Sequence, residues 1–129
     1  MARILVVDDV SAVREFVRRA LALKGHEVVG AGSGLEGLEM LPVRDPFDLV
    51  LTDIAMPGLD GIALAREVAR RHPGTRILLM TGHPVERRRA ELVEAYVDGV
   101  IMKPFTLEQL CSLVQRALEG ELHSALRRA

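Results

Sequence analysis

Residues 48–61, from Asp48 to Gly61, read DLVLTDIAMPGLDG. Leu49, Val50 and Leu51 form an unbroken apolar run, the pattern of a short strand covered on both faces. The run ends on a carboxylate, Asp53, and Met56-Pro57-Gly58 then turns the chain. A core strand thus carries an acid to its own tip, and the neighbouring segments decide what that acid is for.

Short apolar runs alternate with helical patterns on either side of this stretch. Ile4–Val7, Glu27–Ala31, Ile77–Met80 and Val100–Met102 read as four more strands. Between them, Val13, Phe16, Val17, Ala20 and Leu21 recur at helical spacing, with Gly25 where a helix would end. Leu35–Leu41 and Ile62–Arg71 read as helices, the second stopped by Pro73-Gly74. Val85–Tyr96 reads as a weaker, charge-rich helix. Thr106 and Gln109 have capping-box spacing at the start of a last helix, whose apolar stripe is Leu107, Leu110, Cys111, Val114 and Leu118. Strands alternating with helices give right-handed crossovers onto a parallel sheet, so the expected class is α/β, three-layered and doubly wound. Residues 1–118 are expected to form one domain. Glu119–Ala129 reads as a polar, basic-ended tail, either a helix extension or a truncated linker.

Composition narrows the function. A formal net charge of −1 does not favour nucleic acid or a membrane surface as partner. One Tyr, three Phe and no Trp leave little for stacking on bases or sugars. The single cysteine, Cys111, allows no disulfide within these residues. No apolar run approaches the roughly 20 residues of a membrane span. These features lead to the expectation of a cytoplasmic domain.

Ligands of an open parallel sheet bind beyond the carboxyl ends of its strands. Asp8 and Asp9 follow the first strand, Asp53 ends the third, Thr81 follows the fourth and Lys103-Pro104 follows the fifth. The second strand ends in Gly30-Ala31-Gly32 and brings no charge. Three carboxylates crowded together repel, and a divalent cation relieves them. With oxygen donors only, a hard ion such as Mg²⁺ suits the set. A lysine and a hydroxyl nearby suit a phosphoryl group, and an aspartate can be its acceptor. These parts together describe phosphoryl acceptance onto Asp53.

Four segments, ILVVDD (4–9), LVLTDIAMPGLDG (49–61), ILLMTG (77–82) and VIMKPF (100–105), occur in this order and spacing. Together they resemble the receiver domain of two-component response regulators, over about residues 3 to 118. The resemblance implies a five-stranded sheet of order 2-1-3-4-5, the flavodoxin-like arrangement. It implies that Asp53 is the phosphoacceptor, and that Asp9 ligates Mg²⁺ with Asp8 directly or through water. The Ala55 backbone carbonyl would add a further ligand. Lys103 would pair with phosphoryl oxygens, Thr81 would swing in to bond one of them, and the Lys103–Pro104 peptide would be cis. The implied donor is a histidine kinase or phosphotransfer protein, and exposed Arg14 and Arg18 are candidate contacts for it. Downstream, a separate protein or a covalent output domain would respond, with homodimerisation an option and no direct nucleic-acid binding by this domain.

Three positions stand out against the family pattern. Val100 stands three residues before the lysine, where an aromatic is common. Ala55 and His83 occupy positions that tune phosphate hydrolysis. Other functions remain open at this level. An aspartyl-phosphate phosphatase of the haloacid dehalogenase class needs a second acid where Ala55 stands. A flavodoxin-like cofactor binder needs a phosphate-cradling loop where Asp8-Asp9-Val10 stands. A degenerate receiver, binding proteins without phosphorylation, would not need the intact acid–lysine set. Among bland readings, Asp60 is taken as a turn residue, Arg87-Arg88-Arg89 as a solvated helix face, His26, His72 and His123 as surface residues, and Cys111 as core.

Overall fold

The computed structural model describes residues 1–42, 45–83, 88–89 and 97–120. Its elements are β1 (Arg3–Val7), α1 (Ser11–Leu23), β2 (Glu27–Ala31), α2 (Gly34–Glu39), β3 (Leu49–Asp53), α3 (Gly61–Arg71), β4 (Arg76–Thr81), β5 (Gly99–Met102) and α4 (Leu107–Leu118). The helix expected over 85–96 lies outside the described residues except for Arg88 and Arg89, and so does the tail beyond Gly120. The five strands form one parallel sheet in the order β2-β1-β3-β4-β5. That is the expected order, with the acid-bearing strand in the middle.

Strand alternation builds the two halves of the core. Leu5, Val7, Val50, Ile77 and Leu79 point to one face and pack with Leu64, Ala65 and Val68 of α3. Ile4, Val6, Leu49, Leu51, Leu78 and Met80 point to the other. There they meet Val17, Ala20 and Leu21 of α1 and Leu110, Val114 and Ala117 of α4. Both helices bury residues three and four apart, as the sequence periodicity predicts, but Phe16 and Leu107 at the edges of the expected stripes are exposed, and Ala117, outside the expected stripe, is buried. Each fully buried Leu, Ile or Val contributes roughly 1.5–3 kcal/mol.

Local signals close α1 and open α4 where expected, whereas α2, expected over Leu35–Leu41, runs Gly34–Glu39. Gly25 takes φ +87°, a conformation that suits glycine, and closes α1 with its N–H on Ala22 O at 2.9 Å. Thr106 and Gln109 form the capping box of α4. Asp60 is more than a turn residue. Its Oδ1 accepts from Ala63 N at 2.9 Å and caps α3. Its Oδ2 accepts from Arg89 Nη2 at 2.6 Å, so Arg89 is engaged rather than simply solvated. His26 is half-buried, and its Nδ1 accepts from Ala2 N at 3.1 Å. Cys111 is half-buried at the edge of the core beside α1.

Candidate functional site

Strand register sets the site. Val7 pairs with Thr52, Asp53 with Met80, and Thr81 with Met102. One step past Val7–Thr52, Asp8 and Asp53 therefore stand side by side. Both continue the alternation of Val6 and Leu51 and lean toward the α1–α4 face. Lys103 lies two residues past Ile101 and has the same parity, so its long side chain folds back across the tips.

The side chains converge accordingly. Lys103 Nζ lies 2.9 Å from Asp8 Oδ2 and 3.1 Å from Asp53 Oδ1. Asp8 is fully buried, Asp53 is nearly so and Asp9 is exposed. The three acids each offer an oxygen within 4.8 Å of the others. Asp8 is also tied by its backbone, with its N–H on Ala31 O at 3.1 Å, and its Oδ1 accepts from Val10 N at 2.9 Å.

These neighbours shift the site's titration. Burial pushes the Asp53 carboxyl above its ordinary range; Lys103 opposes that, and Asp8 and Asp9 add to it. Burial alone would lower the Lys103 ammonium, but its bonds and charges with Asp8 and Asp53 outweigh that and raise it. The lysine is therefore a fixed cation inside the acid cluster. One positive charge against three carboxylates leaves the cluster short of positive charge, and its oxygen donors suit a hard divalent ion.

Thr81 is buried at the tip of β4. Its hydroxyl donates to His83 O at 3.2 Å and accepts from His83 N at 3.1 Å, which turns it onto the following loop. His83 and Ala55 are exposed, the latter in the loop after β3. Val100 is half-buried against the α3-side core. The Lys103–Pro104 peptide is cis, as the resemblance implied.

Arg14 differs from its sequence reading as an exposed docking residue. It is half-buried, and its Nη1 donates to Asp8 O at 2.7 Å. Arg18 bonds Glu15 instead, which with Arg19 holds that carboxyl down to about 2. Sequence gave one hint for Arg14, since it stands a few residues after the acid pair. Its contact depends on how α1 returns over the loop.

The chain matches the response regulator receiver domain family over residues 4–115, and it belongs to that family. It is 38% identical over 116 residues to response regulator MprA of Mycobacterium leprae, covering 90% of this chain and 50% of that protein. It is 39% identical over 116 residues to the DNA-binding transcriptional regulator NtrC of Escherichia coli, covering 88% of this chain and 24% of that one. The chain thus spans about half the length of MprA and about a quarter of NtrC. Among solved structures, response regulator protein TrrA of Thermotoga maritima, in complex with Mg(2+)-BeF, matches with a TM-score of 0.80 at 32% identity. That match covers 91% of this chain and 99% of that one. This chain is a receiver of two-component phosphorelay signalling, and its family is one of signalling domains rather than classical enzymes.

Proposed function

We propose that Asp53 is the phosphoacceptor, that Asp8, Asp9, Asp53 and the Ala55 carbonyl hold Mg²⁺, and that Lys103 and Thr81 read the phosphorylated state. The observation that carries this reading is the convergence of three carboxylate oxygens within 4.8 Å around a lysine bonded to two of them. The donor set, oxygen only and net negative, fits a hard divalent cation. TrrA, a relative of the same fold, was solved with Mg(2+)-BeF.

In this reading an Asp53 carboxylate oxygen attacks the phosphorus of a phosphohistidine on the donor. The new O–P bond forms as the N–P bond breaks, and the imidazole leaves and takes up a proton. Lys103 keeps its proton and supports the charge on the phosphoryl oxygens. Bound Mg²⁺ supplies charge neutralisation on those oxygens. Thr81 then exchanges its bonds to the His83 peptide for one to the phosphoryl group, which repositions the loop after β4. That rearrangement is the two-state element through which a local charge becomes a change of partner affinity. The domain itself provides phosphoryl acceptance and self-dephosphorylation.

The donor is a histidine kinase or phosphotransfer protein in the cytoplasm. The responder is a downstream protein or a covalent output domain, in keeping with the greater length of MprA and NtrC. Residues 1–118 act as the receiver unit, and 119–129 as a helix extension or linker. Incubation with acetyl phosphate, with Mg²⁺ or with a chelator, tests the reading by intact-protein mass. One phosphoryl adduct that depends on Mg²⁺ is expected. No adduct from a folded, Mg²⁺-binding chain would favour the degenerate binding module.

A further inference from the structure

The receiver reading leaves two features unused: the uncharged tip of β2 and the half-buried contact of Arg14. We propose that they form one device, in which Arg14 is a positioning residue that fastens the Asp8–Asp9 peptide and so holds the exposed Asp9 carboxylate in the metal cluster. The inference rests on the metal reading of the acids given above.

Asp8 O, which accepts from Arg14 Nη1 at 2.7 Å, belongs to the peptide whose nitrogen is that of Asp9. Asp8 is already secured through its N–H on Ala31 and its carboxylate on Val10 N and Lys103. The Arg14 bond fixes the remaining polar group of that residue, the carbonyl from which Asp9 departs. Asp9 is the exposed member of the cluster, so its placement depends on the backbone that carries it. A guanidinium donor keeps its charge at every working pH and makes a stronger bond to a carbonyl than a neutral donor does.

The end of β2 is shaped for this arginine. A Cβ built on Gly30 would lie 3.3 Å from Arg14 Cδ and 3.4 Å from Cγ, and one on Gly32 would lie 3.4 Å from Nη1. The stem therefore crosses the sheet edge where β2 carries no side chain. Glu36 Oε1 accepts from Gly32 N at 3.3 Å and ties down the backbone just after β2. The strand tip that brings no ligand thus has a role in holding one.

Simple electrostatics gives the opposite sign, which makes the proposal testable. A cation near an acid cluster weakens Mg²⁺ binding by repulsion, so deleting a mere neighbouring charge would tighten it. Deleting a positioning bond would loosen it. Mg²⁺ affinity is measured by isothermal titration calorimetry on the full chain for wild type, Arg14→Met and Gly30→Ala. Arg14→Met keeps the stem and removes the guanidinium, while Gly30→Ala keeps the guanidinium and crowds the stem. Both are expected to raise the Mg²⁺ Kd, Arg14→Met by roughly tenfold, the lower end of what supporting residues of metal sites contribute. Phosphorylation by acetyl phosphate should fall at low Mg²⁺ and recover at saturating Mg²⁺. If Arg14→Met does not fold, Gly30→Ala carries the same test. An unchanged or tighter Kd in the folded variants overturns the inference alone. A wild-type chain that binds no Mg²⁺ overturns the metal reading, and this inference with it.

Discussion

Lys103 Nζ is bonded to Asp8 Oδ2 at 2.9 Å, and the Asp8 side chain has no exposed surface. This pair joins the tips of β1 and β5 across β3, which carries Asp53, and β4. A buried carboxylate that loses its partner is left with an uncompensated desolvation cost. Lys103→Met should therefore destabilise the metal-free chain by about 3 kcal/mol. Urea unfolding with and without Mg²⁺ checks this, since a cation at the same acids should recover part of the loss. Equal stability of variant and wild type would mean that Asp8 is held without the lysine.

Asp53 should show the opposite behaviour. Its carboxyl is held above the ordinary range by burial, against Lys103, with Asp8 and Asp9 adding to the rise. With the folded pKa above the unfolded one, the native state binds more protons in between, so stability falls as pH rises through that window. The penalty is complete above the raised pKa and absent below the ordinary one. Asp53→Asn should thus stabilise the metal-free protein near neutral pH by about 1 kcal/mol, a Tm rise of ~3 °C. The gap should close on acidification through the raised Asp53 pKa. Saturating Mg²⁺ should reverse the order, because ligand at 100 times its Kd adds about 2.7 kcal/mol to a chain that binds it. Thermal melts across pH, with and without Mg²⁺, check both signs.

The backbone around Asp53 is sensitive to one glycine. A Cβ on Gly61 would lie 2.0 Å from Asp53 O and 2.9 Å from Ile54 Cα, both backbone atoms. The first residue of α3 thus seats directly on the strand tip, with Gly61 N bonded to Ile54 O at 3.0 Å. Gly61→Ala should cost roughly 3 kcal/mol through this overlap. Gly74→Ala, with nothing within 4 Å of its Cβ, should stay within about 0.5 kcal/mol of wild type. Chemical denaturation of the two variants compares them directly.

At the opposite end of the sheet, burial pulls the His26 imidazole below its ordinary pKa. Its Nδ1 must be unprotonated to accept the Ala2 N–H. A depressed histidine favours the folded state when neutral, so this contribution is present above the unfolded pKa and is lost as pH falls through the window to the folded one. Wild type should lose slightly more stability than His26→Gln between about pH 7 and pH 5. Parallel pH profiles of the two would contradict the assignment.

Much of the fold was legible because its signals are local. Apolar runs such as Leu49–Leu51 mark doubly covered strands, and Gly25 and Thr106 mark helix ends through backbone chemistry that needs no partner. The acid–lysine set was legible because parallel strands deliver their tips to one edge. Strand order was available only through the family resemblance. Arg14, His26 and Arg89 were read as surface residues because their partners, Asp8 O, Ala2 N and Asp60, are fixed by tertiary return of the chain. Asp60 was within reach, since an aspartate just before a helical pattern is a favoured cap. Gly58 and Gly61 around it point equally to a turn.

The central claim is that Asp53, of the three clustered acids, takes the phosphoryl group. Borohydride reduction of the acetyl phosphate-treated chain converts a phosphorylated aspartate to homoserine, which peptide mass spectrometry locates by residue. The account expects homoserine at position 53 alone, dependent on Mg²⁺ and absent from Asp53→Asn. Homoserine at position 8 or 9 of the wild-type chain would contradict it.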